Sequence, residues 1–474
     1  MKRLYQLGCG LSWMMMAVGS AFGQHGVAPQ VSITHSNPSI AYQCDEHRSG
    51  RSVRSAVEPT TRSESSTSGV EMISEVVPPM PVTPVQYESA SEQDVIMSLD
   101  VPVGEEQQPQ WGPTPPEDIK FIDNLLGGWL EQRGLRMYGW INPGYTFSST
   151  GPGLLIVEPR ANRFGNEALV NQMAVVLEKP LDPKEFSLGY NAILFAGADP
   201  ALIRPRGGFT TTNPRMGIDF RHLYVSAHLP ILTEGGVDLK IGRQSTVIGY
   251  ESALAPYRPF YSIAYQWFYA QDGAWTGALA IWHVNDRLDI LNGITLGANT
   301  FFTLRASGPA YIGQINYWLQ DEKRTMLTLS AHAGDQAIFA APGLAGNFVT
   351  VFEARIFHKW TERLKTVLQT NMGWDANVPG IGTGEFYAFD IIQITHLTKK
   401  LDMNFRAEWF NDVQGTRTGF ATNYEEITFG FDYHPKRWLR IRPEIRADFA
   451  NDVDVFDGSK KAQLTLAVDS IISY

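Results

Sequence analysis

The sequence predicts an all-β protein: a transmembrane, antiparallel, up-and-down β-barrel of about 16 strands, preceded by a signal peptide and a disordered linker. Three observations predict it. Period-two segments of 10–15 residues recur from Leu135 to the C-terminus with no convincing helix between them. The connections alternate between tight polar turns and longer loops. The two faces of a strand differ sharply, as in "LRIRPEIRADF" (Leu439–Phe449). There Leu439, Ile441, Ile445 and Phe449 alternate with Arg440, Arg442, Glu444, Arg446 and Asp448, so one face is apolar and the other ionisable.

Residues 1–23 read as a secretory signal. Lys2 and Arg3 precede a mostly apolar stretch from Leu4 to Val18, and "SAFG" supplies small residues for cleavage. Export leaves Cys44 as the one cysteine, so no intramolecular disulfide is expected. Residues 24–118 carry four Arg and fourteen Asp or Glu. That segment's net of −10 and the signal's +2 leave −2 for the remainder of a chain whose total is −10. A near-neutral folded part gives no sign of a nucleic-acid partner. "RSESSTSG" and "VVPPMPVTPVQ" are too polar and proline-rich to offset chain entropy, so 24–118 reads as a disordered acidic linker. In 119–134, "EDIKFIDNLLGGWL" suggests a short amphipathic helix with Ile119, Ile122, Leu125 and Leu126 on one face, stopped by Gly127-Gly128, or else a plain lead-in loop.

The barrel itself is placed at 135–474. Strands are expected near 135–148, 168–179, 185–198, 217–230, 235–246, 272–283, 286–299, 310–320, 323–334, 347–360, 362–375, 385–397, 399–411, 423–434, 436–449 and 460–474. Tight turns such as "TKK" and "HPKR" follow the even strands, and long loops follow the odd ones. An even strand number with short turns at one rim and long loops at the other is the outer-membrane pattern. The competing reading is a large soluble β-sandwich or barrel, and 217–230 ("GIDFRHLYVSAHLP") alternates poorly. Strand length, aromatics near strand ends (Trp360, Trp374, Trp409, Tyr433, Trp438) and an aromatic terminus, Tyr474, favour the membrane. Beyond the N-terminus no run of about 18 apolar residues exists, which excludes a bundle of membrane-spanning helices.

"DLKIGRQSTVIGYES", "FRAEWFNDVQGTRTGF", "LRIRPEIRADF" and the terminal strand closed by an aromatic resemble the OmpL-like β-barrel porins, exported outer-membrane proteins of Gram-negative-type cells. The resemblance spans nearly all of 135–474. It implies a barrel among outer-membrane lipids and a passive pore, and it carries over no solute and no catalytic residue. Such barrels end most often in Phe; here Tyr474 would be the aromatic read by the barrel-assembly machinery. Many porin-like barrels are trimers, so a homotrimer is the assembly to look for.

Sixteen strands leave a water-filled lumen whose width something inside must set. The third long loop, "VIGYESALAPYRPFYSIAYQWFYAQDG" (247–273), is the longest. It is expected to fold inward with Glu251 and Arg258 in its polar lining, the alternative being a loop packed on the outer rim or on a neighbouring subunit. The pore-lining candidates are Arg406, Glu408, Glu426, Arg440, Arg442, Glu444, Arg446 and Asp448. They read either as a transverse field acting on solutes or as a salt-bridge ladder stiffening the wall. Without Glu426, four arginines against three acids suggest a mild anion preference.

Enzyme motifs are absent: no G-x-S-x-G, P-loop, dinucleotide fingerprint or H-E-x-x-H occurs. No catalytic residue, cofactor or metal is therefore expected, although an outer-membrane hydrolase assembled only in the fold is conceivable. His283, His332 and His358 read as wall residues. Asp452, Asp454 and Asp457 depart from calcium-loop spacing and read as a solvated acidic loop. A third class is a structural or adhesive barrel, anchored through its periplasmic linker to the cell wall or a periplasmic partner.

Overall fold

The computed structural model describes residues 116–149, 162, 164–205, 207–209, 213–271, 273–303, 309–320, 322–335, 348–456 and 459–474. The signal peptide, nearly all of the linker, and Asp457 lie outside the described residues.

Sixteen antiparallel strands close into one barrel in sequence order, with β1 paired to β16. They are β1 Arg136–Ser148, β2 Ala168–Lys179, β3 Ser187–Gly197, β4 Gly217–Leu229, β5 Val237–Ser245, β6 Ala274–Asn285, β7 Leu288–Ala298 and β8 Ala310–Trp318. The second half is β9 Thr325–Asp335, β10 Phe348–Lys359, β11 Leu364–Val378, β12 Gly382–Thr398, β13 Leu401–Asp412, β14 Thr422–Lys436, β15 Leu439–Ala450 and β16 Ala462–Ser473. Each falls within three residues of its expected bounds. One connection departs from the expected alternation. β11 and β12 are joined by three residues, because their ladder runs on past a bulge to Val378↔Gly382. Gly380 and Gly382, both at positive φ, make the tight turn.

The period-two faces resolve as the reverse of a soluble protein. On β15 the apolar set points out, with Ile445 42% exposed, while Arg442 and Arg446 are 1% and 0% exposed on the inner face. β14 repeats this, with Ile427 exposed and Glu426 and Thr428 buried. An apolar exterior on strand after strand is what hydrocarbon requires, since it cannot satisfy a polar group. Trp360, Trp409, Tyr433 and Trp438 are among the exposed aromatics, near strand ends as a headgroup girdle would be.

The closing seam depends on the last residue. Tyr474 N donates to Gly139 O and Gly139 N to Tyr474 O, both at 2.9 Å, and the Tyr474 hydroxyl donates to Ala174 O at 2.9 Å. A Cβ at position 139 would stand 2.2 Å from Ala174 O and 2.7 Å from the Tyr474 ring, so only glycine lets the ring cross β1. The hydroxyl that distinguishes this terminus from phenylalanine is thus used in the seam.

Before the barrel, a short helix forms at Phe121–Leu125 and ends where Gly127 and Gly128 take positive φ. It differs from the amphipathic expectation. Leu125 is 76% exposed, and the buried residue is Asp123, whose carboxylate accepts Leu130 N at 2.9 Å and Glu131 N at 3.2 Å. The segment turns by satisfying backbone donors rather than by burying leucines.

Ile445 lies mid-strand on the outer face, so Ile445→Lys should destabilise the barrel in lipid vesicles by about 2–4 kcal/mol in urea unfolding. A loss below about 0.5 kcal/mol would mean that this face does not meet lipid.

Candidate functional site

Between β5 and β6 the chain runs for 28 residues, 246–273, with only one five-residue helix (Tyr265–Tyr269) and one 3-10 turn (Ala255–Tyr257). Its backbone has few partners of its own, and the barrel wall supplies them. On β15, the Glu444 carboxylate accepts Tyr261 N at 2.9 Å and Ser262 N at 3.1 Å. On β13, Glu408 accepts Tyr265 N at 2.7 Å and also Gln266 N. The arginines serve the opposite pole. Arg442 Nη1 donates to Arg258 O at 2.7 Å, Arg446 Nη1 to Ile263 O at 2.6 Å, and Arg440 Nη1 to Pro256 O. Acids hold the loop's donors and arginines its acceptors, each as a charge-assisted bond.

The loop reaches β2 as well. Gln172 Nε2 donates to Ala253 O at 2.7 Å and its oxygen accepts Ala255 N at 3.0 Å, while Asn171 Nδ2 donates to Tyr261 OH at 2.7 Å. Asn171 and Gln172 are consecutive yet both buried on the inner face, because a bulge pairs Asn142 with Gln172 and Pro143 with Val170, leaving Asn171 unmatched. On β11, Gln369 accepts Tyr250 N at 2.9 Å and Asn371 donates to Ala270 O at 3.0 Å. The Tyr261 ring lies over Gly144 of β1, where an added Cβ would be 2.5 Å away.

The candidate wall residues fall on the inner face, and all eight are buried. Their ion pairs run between neighbouring strands, except that Arg446 and Asp448 are both on β15. Arg406 Nε meets Glu426 at 2.9 Å, Arg446 Nε is 3.8 Å from the same carboxylate and 2.9 Å from Asp448, Arg440 pairs with Asp432, and Arg442 with Asp469. Glu426 therefore bridges β13 to β15. Asp432 and Asp469 complete a ladder whose second function, seating the loop, a strand-by-strand reading does not reveal.

The two loop candidates separate. Glu251 is bound by Arg406 Nη1 at 2.5 Å and accepts Ala264 N at 2.8 Å, and it lines a cleft left between the loop and the β4–β10 wall. Arg258 is buried, 3.5 Å from Asp199 in the short helix Ala198–Leu202. Burial pushes the Asp199 carboxyl up to about 6, against the pull of Arg258 and of the Gln172 amide. The free space of the cleft, counted with the solvent at its open mouth, is about 810 Å³. Of the histidines, His283 pairs with Asp289 at 2.9 Å and His358 with Thr325 at 2.8 Å, each on its strand. Asp452 and Asp454 are exposed.

The family model described as "Putative beta-barrel porin-2, OmpL-like" matches residues 134–474. The chain belongs to this family. Among solved structures, the OmpL-like porin is similar to the outer membrane channel DcaP of Acinetobacter baumannii, at 11% identity, covering 72% of this chain and 97% of that one with a TM-score of 0.52. An anion-selective porin from Comamonas acidovorans is 9% identical over 72% and 99% of the chains, TM-score 0.51. Salmonella typhi OmpF, in complex with daunomycin, is 10% identical over 72% and 97%, TM-score 0.50. At these identities the likeness is one of fold. No curated protein matches the chain in sequence.

Two outcomes follow for this porin. Glu444→Ala leaves Tyr261 N and Ser262 N without their acceptor, a local loss of about 3 kcal/mol. Limited chymotrypsin digestion should then cut near Phe260 while the barrel keeps its compact, heat-modifiable migration; an uncut loop would contradict its seating by Glu444. Asp199 is an acid whose folded pKa lies above its ordinary 3.8. Its neutral form contributes stability that is full below that value and lost as pH rises through about 6. The melting temperature of Asp199→Asn minus that of the native chain should therefore grow between pH 4 and pH 7, and a constant difference would refute the shift.

Proposed function

We propose that the protein is a porin of the outer membrane, passing small hydrophilic solutes by passive diffusion, with the 247–273 loop narrowing its lumen. The linker then lies in the periplasm, on the side of the short turns. The observation that carries the reading is the set of bonds from the inner faces of β2, β11, β13 and β15 to the loop backbone, which hold the loop inside the wall with the cleft beside it. A narrow opening backed by buried charge suits small polar solutes and excludes bulky ones. The eight wall residues act chiefly as the loop's seat, and Glu251 is the residue of the earlier set that meets the solute path.

Removing Ala255 to Tyr265 deletes the part of the loop held by β2, β13 and β15. Single-channel conductance in a planar bilayer should rise at least twofold. Unchanged conductance would reject the narrowing, and a protein with no conductance at all would favour a barrel that serves as an anchor for its linker.

A further inference from the structure

We infer that the last turn of the N-terminal linker, Pro116–Asp118, lies inside the barrel as a strap on the 246–273 loop, so that the linker helps to set the width of the pore; this rests on the channel reading above. Proline fixes φ, and Ile119 N donates to Pro116 O at 3.0 Å, which closes the turn. Pro116 is buried, and the turn packs against β1. The Glu117 carboxylate accepts the Tyr257 hydroxyl at 2.9 Å, across 140 residues of sequence. Tyr257 belongs to the loop and meets the Trp140 ring edge-on at 6.4 Å. Trp140 is fully buried on the inner face of β1, and its indole N–H donates to Gln172 at 2.9 Å. Gln172 is the side chain that also holds Ala253 O and Ala255 N of the loop. Linker, loop and wall therefore meet at one place.

The wall at this place is unlike that of a water-filled channel. The inner faces of β1, β2 and β3 carry Trp140, Val176, Ile193 and Phe195, where a porin lumen is polar. These four pack in one cluster with Leu254 and Ala255 of the loop, and Tyr257 lies against it. Apolar side chains turned inward need cover from water. The loop gives that cover, and Glu117 fixes it at Tyr257. The course of the chain places the strap at the short-turn rim. β1 begins there at Arg136, opposite Glu178 near the end of β2, with Trp140 further in. Between Asp118 and Arg136 the chain turns on Asp123, which holds Leu130 N and Glu131 N, and only then enters the wall. The linker is thus joined to the loop, within the mouth, before it is joined to the sheet.

The test is single-channel conductance of purified chains in a planar bilayer. Two shortened chains, each exported with its own signal, separate the strap from the rest of the linker. One lacks residues 24–110 and keeps Pro116–Asp118; the other lacks residues 24–118. The first should conduct like the native protein, and the second about 1.5-fold more or higher. In the full chain, Glu117→Ala and Tyr257→Phe should each roughly double the open-channel current noise, because the loop loses its hold at Tyr257. Lys399→Gln, in the exposed turn between β12 and β13, should leave the noise unchanged. Equal conductance of the two shortened chains overturns this inference and leaves the channel reading intact. Should the shorter chain fail to fold, Tyr257→Phe decides, and native noise in that variant overturns the inference. A native protein without conductance overturns both readings.

Discussion

Hydrocarbon solvates no charge, so each strand must turn its polar row inward, and sixteen such rows need partners inside a closed wall. Water alone fills wide porins. In this barrel the partner over much of the wall is a stretch of nearly irregular backbone, 246–273. Irregular backbone carries N–H and C=O groups that must be satisfied when buried. The two demands meet each other: Glu408 and Glu444 take the loop's donors, and Arg440, Arg442 and Arg446 its acceptors. Neither side is stable alone, because an isolated buried charge and an isolated buried amide are both costly.

This complementarity explains why both signs are interleaved on β13 to β15. A wall of one sign would repel itself and could serve only one pole of the peptide group. Interleaving lets Arg406 and Arg446 share Glu426 while their neighbours face the loop. The cost is that these charges are occupied by one another and by the loop.

Much of the fold was legible because period two reports burial directly, and the strands of 135–474 carried it, 217–230 only poorly. The faces were legible for the same reason: Arg440 to Asp448 point in because Leu439 to Phe449 cannot. The rest was hidden by what periodicity omits. It does not say what stands across the lumen, so Glu444 could be placed on the inner face but not joined to Tyr261, 183 residues away. Arg258 likewise could not be joined to Asp199, which lies in a separate loop. Nor does hydropathy weigh a buried carboxylate against leucines, so Asp123 was missed. Two irregularities did carry a signal. "NQ" at Asn171-Gln172 and "RH" at Arg221-His222 place polar residues side by side within strands, and both mark bulges at the site. Local rules break where function needs a residue turned.

Amide hydrogen exchange of the folded protein in lipid nanodiscs tests the central claim most directly. The N–H groups of Tyr261, Ser262, Tyr265 and Gln266 lie in a loop that would exchange within seconds were it free. Seated on Glu444 and Glu408, they should be protected to a degree comparable with the strand amides of β15. Exchange of these four at the rate of an open loop, with β15 still protected, would contradict the account.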